Sequence, residues 1–304
     1  MELETIYKPI KNELAETEAR IKRALINSDI FFSAPGEHLL RAKGKRLRPA
    51  LVLLCAKLGK RNSEKAVDLA AALELIHTAT LVHDDIIDNA KVRRKLPSLG
   101  VKFGLDTSIL FGDFLFSKAF EIVSDLKIGS ISSVLLRTTS AICQGEIRQL
   151  ARAARPLEEK EYFQIIAKKT ASLFSVCCET GGVLGGLGGE KTKELKTYGR
   201  NLGLGFQIAD DCLDLVGDEK TAGKSLRLDK KTGKMTLPLI YLHRWPGKTQ
   251  DEVINYSRMT AVKFEKRALA ALGTFAESEA KASLKNIVEY VFASINGTRR
   301  SARC

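Results

Sequence analysis

The chain has 304 residues, 44% of them hydrophobic, with 49 Lys+Arg against 36 Asp+Glu and a formal charge of +13. That apolar content supports a sizeable core and excludes a disordered or low-complexity chain. The excess positive charge points to an anionic partner, but aromatics are only 7% and nowhere alternate with basic residues, which excludes a stacking groove for single-stranded nucleic acid.

From the N-terminus, Met1 to Glu4 shows no basic start followed by an apolar run, so no signal peptide is expected. No run of about 18 uncharged apolar residues occurs, so no membrane span is expected. Leu69, Leu73, Ile76, Thr80, His83 and Ile87 step by three and four, as do Leu195, Tyr198, Leu202, Phe206, Ala209 and Leu213. Both stripes predict long amphipathic or buried helices, and no sustained period-two run argues for a sheet. Breaks are few: Pro35-Gly36, Pro97, Pro156, Gly181 to Gly189, Gly217 to Lys234 and Pro246-Gly247. With no Pro- or Ser-rich linker, residues 1–304 are expected to form a single all-α domain, a bundle of long helices. The six cysteines show no C-x-x-C spacing and read as reduced thiols of a cytoplasmic protein.

The sharpest local feature is Asp84-Asp85-Ile-Ile-Asp88. On a helix these three carboxylates share one side, where they repel each other, and they end an apolar helix at the pole that disfavours negative charge. A solvated acidic helix end is the plain reading of one such cluster. Asp210-Asp211-Cys-Leu-Asp214 repeats the spacing at the end of a second apolar helix. Two facing clusters of oxygen ligands suit Mg²⁺ completed by substrate phosphates, a clamp for a diphosphate leaving group. Basic residues stand beside them: Lys45, Arg46 and Arg48 before an apolar helix, Arg93 and Arg94 just after the first cluster, and Lys168, Lys169, Lys224 and Lys234. Arginine grips phosphate through two nitrogens, and lysine acts as a mobile point charge. The glycine run 181–189 lacks a Gly-Lys-Ser/Thr ending and follows a helix, so it is read as close helix packing and a helix stop.

These segments, with Glu74 to Asp88, Gly112-Asp-Phe-Leu-Phe116, Gln144-Gly-Glu-Ile-Arg-Gln149, Gly205 to Asp211 and Gly233 to Pro238, resemble the trans-type polyprenyl diphosphate synthases from about Gly44 to Leu242. The resemblance implies helices around a deep central cavity, a homodimer, and condensation of an allylic diphosphate with isopentenyl diphosphate into a medium- or long-chain all-trans product. It further implies that Asp84, Asp85, Asp88, Asp210 and Asp214 hold three Mg²⁺ ions with substrate bound. By the same resemblance Arg93, Lys169, Lys224 and Lys234 grip the allylic diphosphate, and Lys45, Arg48, His77 and Arg94 bind isopentenyl diphosphate. Thr170 and Gln207 lie against the reacting end of the allylic chain. Ala79 and Thr80, five and four residues before the first aspartate, are small, whereas bulky aromatics there stop the chain early in this family. Small residues there favour a product from geranylgeranyl upward, and rather one of about C30 or longer; a peripheral membrane contact would be useful for so long a chain.

Three alternatives stand beside this reading: a shorter-chain (farnesyl or geranylgeranyl) synthase, a non-catalytic partner subunit, and a terpene cyclase. Partner subunits typically lose one Asp cluster, and cyclases need no isopentenyl diphosphate site, so the two intact clusters with Lys45 and Arg48 argue against both. Nucleic acid is not an expected partner. Lys95 and Gly100 depart from the family pattern, which has glycine and histidine at or near those positions; Ser225 to Leu228 depart around Lys224. None of these removes an expected metal ligand.

Overall fold

The computed structural model describes residues 2–26, 30–42, 44–61, 64–153, 155–216 and 233–293. Its helices are α1 (Leu3–Ile6), α2 (Lys11–Leu25), α3 (Ile30–Arg41), α4 (Leu47–Lys57), α5 (Lys65–Ile87), α6 (Leu99–Phe103), α7 (Leu105–Asp125), α8 (Gly129–Ala151), α9 (Glu159–Ile166), α10 (Ser172–Leu184), α11 (Gly189–Val216), α12 (Leu237–Arg244), α13 (Gln250–Ala271) and α14 (Glu279–Phe292). Between α5 and α6 a small antiparallel hairpin pairs β1 (Val92–Arg93) with β2 (Leu96–Pro97). It is the only strand pairing among the described residues.

Apolar patterning decides which helices lie inside. Every residue of α4 from Leu47 to Ala56 is buried, and all but Arg48 are uncharged, so this helix sits in the interior. The same holds for most of α5, which packs against α2, α4, α7 and α10 and spans about 35 Å at ~1.5 Å per residue. By length and composition α5 could cross a bilayer, but 72% of its apolar window is buried inside the bundle. Its aliphatic content therefore serves the core. Helix α10 packs on α4 and α11, and α11 on α13.

Close approach of α10 to α4 depends on Gly181, where a Cβ would stand 2.4 Å from the carbonyl oxygen of Val52. The glycine run thus permits tight packing and ends α10 at Leu184. Pro35 does not break its helix; it lies within α3. Its missing N–H would have bonded Phe31 in the first turn, so only one hydrogen bond is forgone. Helix α13 starts where Thr249 and Glu252 cap each other reciprocally.

One buried ion cluster ties the N-terminal helices to α5. Arg46 pairs closely with Glu18 of α2, and its Nη1 donates to Glu74 of α5 at 2.8 Å. Stranding Glu74 by removing Arg46 would cost about 3–5 kcal/mol. Arg46, the middle cation of the Lys45–Arg48 group, is thereby committed to structure.

Candidate active site

A cavity of about 480 Å³ opens between α5, α8, α11 and the turn joining α9 to α10. The apolar stripe of α5 runs straight into it: Leu69, Leu73 and Ile76 are core, while Thr80, His83, Asp84, Ile87 and Asp88 line the cavity. Steps of three and four keep these groups on one face. From α11 come Phe206, Gln207, Asp210 and Asp211. Asp84 and Asp88 on one helix and Asp210 on another therefore share a single cavity.

Lysines already stand among these carboxylates. Lys169 Nζ lies 3.7 Å from Asp84 Oδ2 and pairs closely with Glu146, and Lys234 Nζ lies 2.5 Å from Asp88 Oδ1. Burial works to lower the Lys169 pKa, but Asp84, Glu146 and Asp88 outweigh it and hold the ammonium charged, above the ordinary lysine value. Among the described residues no three carboxylate, imidazole or thiol groups converge as a metal site. The donors lining the cavity are nevertheless hard carboxylate oxygens, the set that suits Mg²⁺, and ammonium groups now supply the positive charge they require.

Asp85 faces elsewhere. It is buried, absent from the cavity lining, and accepts from Arg93 Nε at 2.8 Å. Burial raises its pKa despite the Arg93 charge beside it. Arg93 itself reaches the cavity from the hairpin; burial opposes its charge, and Asp85 with Asp84 and Asp210 more than compensates.

The joint between α9 and α10 is a π-turn over Ala167–Ala171, a distortion frequent at functional sites. It turns Lys169 and Thr170 into the cavity. Gly145 of α8 makes room for it, since a Cβ there would lie 2.8 Å from the Lys169 backbone nitrogen. Where this turn packs on α11, a chain of hydrogen bonds runs along the cavity wall. Thr170 Oγ1 donates to Gln207 Oε1 at 2.6 Å, Gln207 Nε2 donates to Asp211 Oδ1 at 2.8 Å, and the Tyr162 hydroxyl donates to Asp211 Oδ2 at 2.6 Å.

A second cationic group lines the same cavity. Arg48 is buried, with its guanidinium 4.7 Å from the centre of the Phe174 ring, and Arg94 Nη1 donates to the Ala42 carbonyl at 2.9 Å. Both line the cavity beside His77, whose buried Nε2 has no hydrogen-bond partner among the described residues. Burial first, then the charges of Arg48, Arg94 and Arg93, push the His77 pKa well below its ordinary value. The ring is therefore neutral, with one nitrogen left to bond a ligand.

Of the residues singled out in the sequence, the cavity gathers Arg48, His77, Thr80, Asp84, Asp88, Arg93, Arg94, Lys169, Thr170, Gln207, Asp210 and Lys234. Lys45, Ala79 and Asp214 are not among its lining residues. Lys45 Nζ sits 5.5 Å over the Tyr290 ring, and Ala79 and Asp214 are buried. Lys224 lies outside the described residues. Glu146, Gln149 and Tyr162 also line the cavity without having stood out individually in the sequence, and Asp211 of the second acidic cluster lines it too. Gln149 accepts from Lys169 Nζ at 3.1 Å, a contact that the Gln144–Gln149 segment hinted at without naming its partner.

An all-α bundle whose cavity holds two carboxylate sets ringed by cations defines an isoprenoid-synthase-type protein. A model of the polyprenyl synthetase family matches residues 30–272, and the chain belongs to that family. Component 2 of the heptaprenyl diphosphate synthase of Geobacillus stearothermophilus is 37% identical over 244 residues, which cover 79% of this chain and 76% of that one. The geranylgeranyl diphosphate synthase of Methanosarcina mazei is 37% identical over 248 residues, covering 79% and 76%. Among solved structures, polyprenyl synthase from Caulobacter crescentus CB15, complexed with calcium and isoprenyl diphosphate, matches with a TM-score of 0.93 at 31% identity, covering 99% of this chain and 98% of that one. The two curated names differ in chain length, so likeness alone does not set it here.

Proposed function

We propose that the protein is a Mg²⁺-dependent prenyltransferase that condenses an allylic diphosphate with isopentenyl diphosphate, head to tail and trans, into a medium- or long-chain polyprenyl diphosphate. The observation that carries this reading is the meeting of Asp84, Asp88 and Asp210 with Arg93, Lys169 and Lys234 in one cavity whose walls include Phe116, Ile142, Ile147 and Phe206. Asp84, Asp88 and Asp210 would hold the metal, with Asp85 and Asp214 supplying charge behind them. Bound magnesium supplies charge neutralisation for the departing diphosphate.

The chain's own residues do the rest. Arg93, Lys169 and Lys234, with Lys224, bind the allylic diphosphate, and Arg48, neutral His77 and Arg94 bind isopentenyl diphosphate. The bond from the allylic carbon to its diphosphate oxygen breaks and leaves an allylic cation facing Thr170 and Gln207. Apolar walls keep water from that cation. The isopentenyl double bond then forms the new carbon–carbon bond, and a proton leaves to the released diphosphate. The small Thr80 in the cavity wall leaves room for a growing chain.

We read the working unit as a single-domain protomer in a homodimer. Val101, Leu105, Ile109 and Leu110 expose apolar side chains along α6 and α7, with Leu110 69% exposed, a surface that a second copy would cover. A cytoplasmic setting suits the five described cysteines, all of which are free.

Product analysis tests the proposal. Purified protein, Mg²⁺ and labelled isopentenyl diphosphate are incubated with dimethylallyl, geranyl or farnesyl diphosphate, and products are sized by chromatography. Elongated products that vanish with chelator are expected. Folded protein that incorporates no label with any primer would overturn the proposal.

A further inference from the structure

Glu146 projects from α8 into the cavity, only 8% exposed, and its two oxygens face different lysines. Oε2 pairs closely with Lys169 Nζ, and Oε1 lies 3.9 Å from Lys234 Nζ. The same ammonium groups reach Asp84 at 3.7 Å and Asp88 at 2.5 Å. Each lysine thus stands between Glu146 and one aspartate of the first cluster.

That arrangement has a consequence for charge. If Asp84 and Asp88 turn to a divalent cation, the buried Lys234 and the half-buried Lys169 each lose a carboxylate, and an unpaired charge removed from water is costly. A single carboxylate with one oxygen toward each lysine can keep both paired. Without it, the lysines have only the aspartates to bind and compete with the metal for them.

We propose that Glu146 is a positioning residue: it keeps Lys169 and Lys234 paired while Asp84 and Asp88 are committed to magnesium, so both ammonium groups stay aimed at the diphosphate. The inference rests on the prenyl-transfer reading above. It differs from a purely structural ion pair, which would change stability but not metal binding. It differs also from direct ligation by Glu146, which would not need the lysines.

Magnesium is titrated calorimetrically into the full chain with inorganic diphosphate present, for wild type, Glu146→Gln, Glu146→Asp, Lys169→Met/Lys234→Met and the triple variant carrying Glu146→Gln. Glu146→Gln, which keeps side-chain shape, is expected to bind magnesium about tenfold more weakly, the scale of one lost charge-assisted hydrogen bond. Glu146→Asp is expected to recover part of that loss. In the lysine-free background Glu146→Gln should change nothing further. Affinity equal to wild type in Glu146→Gln overturns the inference alone. A loss that persists without the lysines also overturns it and makes Glu146 a ligand. No magnesium uptake by the wild-type chain overturns both the inference and the reading beneath it.

Discussion

Thr170 donates its hydroxyl to Oε1 of Gln207 at 2.6 Å, and this fixes which end of the amide faces Asp211. The bond joins the π-turn to α11, on which it packs, so the two residues set each other's position at the proposed reaction centre. Replacing Thr170 with Val preserves shape and removes the donor. Steady-state kinetics should show kcat lowered about tenfold, with stability reduced by only about 1 kcal/mol. An unchanged kcat would mean that the hydroxyl and amide do not face the reacting carbon.

Chain length separates two neighbouring positions. Thr80 lines the cavity, whereas Ala79 is fully buried between helices. Thr80→Phe is expected to shorten the product by narrowing the cavity. Ala79→Phe instead overpacks the core and should cost about 1–3 kcal/mol. Chromatography of products beside thermal unfolding distinguishes the two, and a Thr80→Phe product as long as that of wild type would contradict the assignment.

What could be read from the sequence depended on distance along the chain. The helical class, the shared face of Asp84 and Asp88, and the course of the α5 stripe into the site all follow from local spacing. The Asp85–Arg93 bond, the capture of Asp211 by Tyr162 and the two-lysine grip of Glu146 join residues from different elements, and no local pattern encodes them. Lys45 shows the same limit in reverse: its neighbours in sequence suggested a phosphate contact, while the helix start at Leu47 leaves it over Tyr290. The π-turn was also illegible, because Ala167–Ala171 has ordinary helical composition.

The hairpin carries a correctable strain. Its turn residues Arg94 and Lys95 have φ of 49° and 67°, the left-handed region in which a two-residue hairpin turn favours glycine. Lys95→Gly should stabilise the protein by about 1 kcal/mol, since a left-handed residue with a Cβ costs roughly 1–2 kcal/mol. Denaturant unfolding checks this, and a destabilised variant would show that Lys95 makes a contact worth more than the strain.

His77 predicts a pH dependence. Its folded pKa lies well below the unfolded value near 6.5, so the unfolded chain binds the extra proton first and stability falls as pH drops through about 6.5. Between pH 7.5 and 5.5 wild type should lose more stability than His77→Gln, by on the order of 1 kcal/mol. Parallel losses in the two proteins would contradict a neutral, buried His77.

The central claim is that carboxylates from two helices act together on one diphosphate. Its most direct test is the rate of isopentenyl diphosphate incorporation as a function of Mg²⁺ for wild type, Asp84→Ala and Asp210→Ala, with folding verified for each. Both variants should lose about 100-fold or more in rate, the scale of removing one electrostatic contact to developing charge. Near-wild-type turnover by either folded variant at the same magnesium concentration would show that its carboxylate set is not part of the reaction.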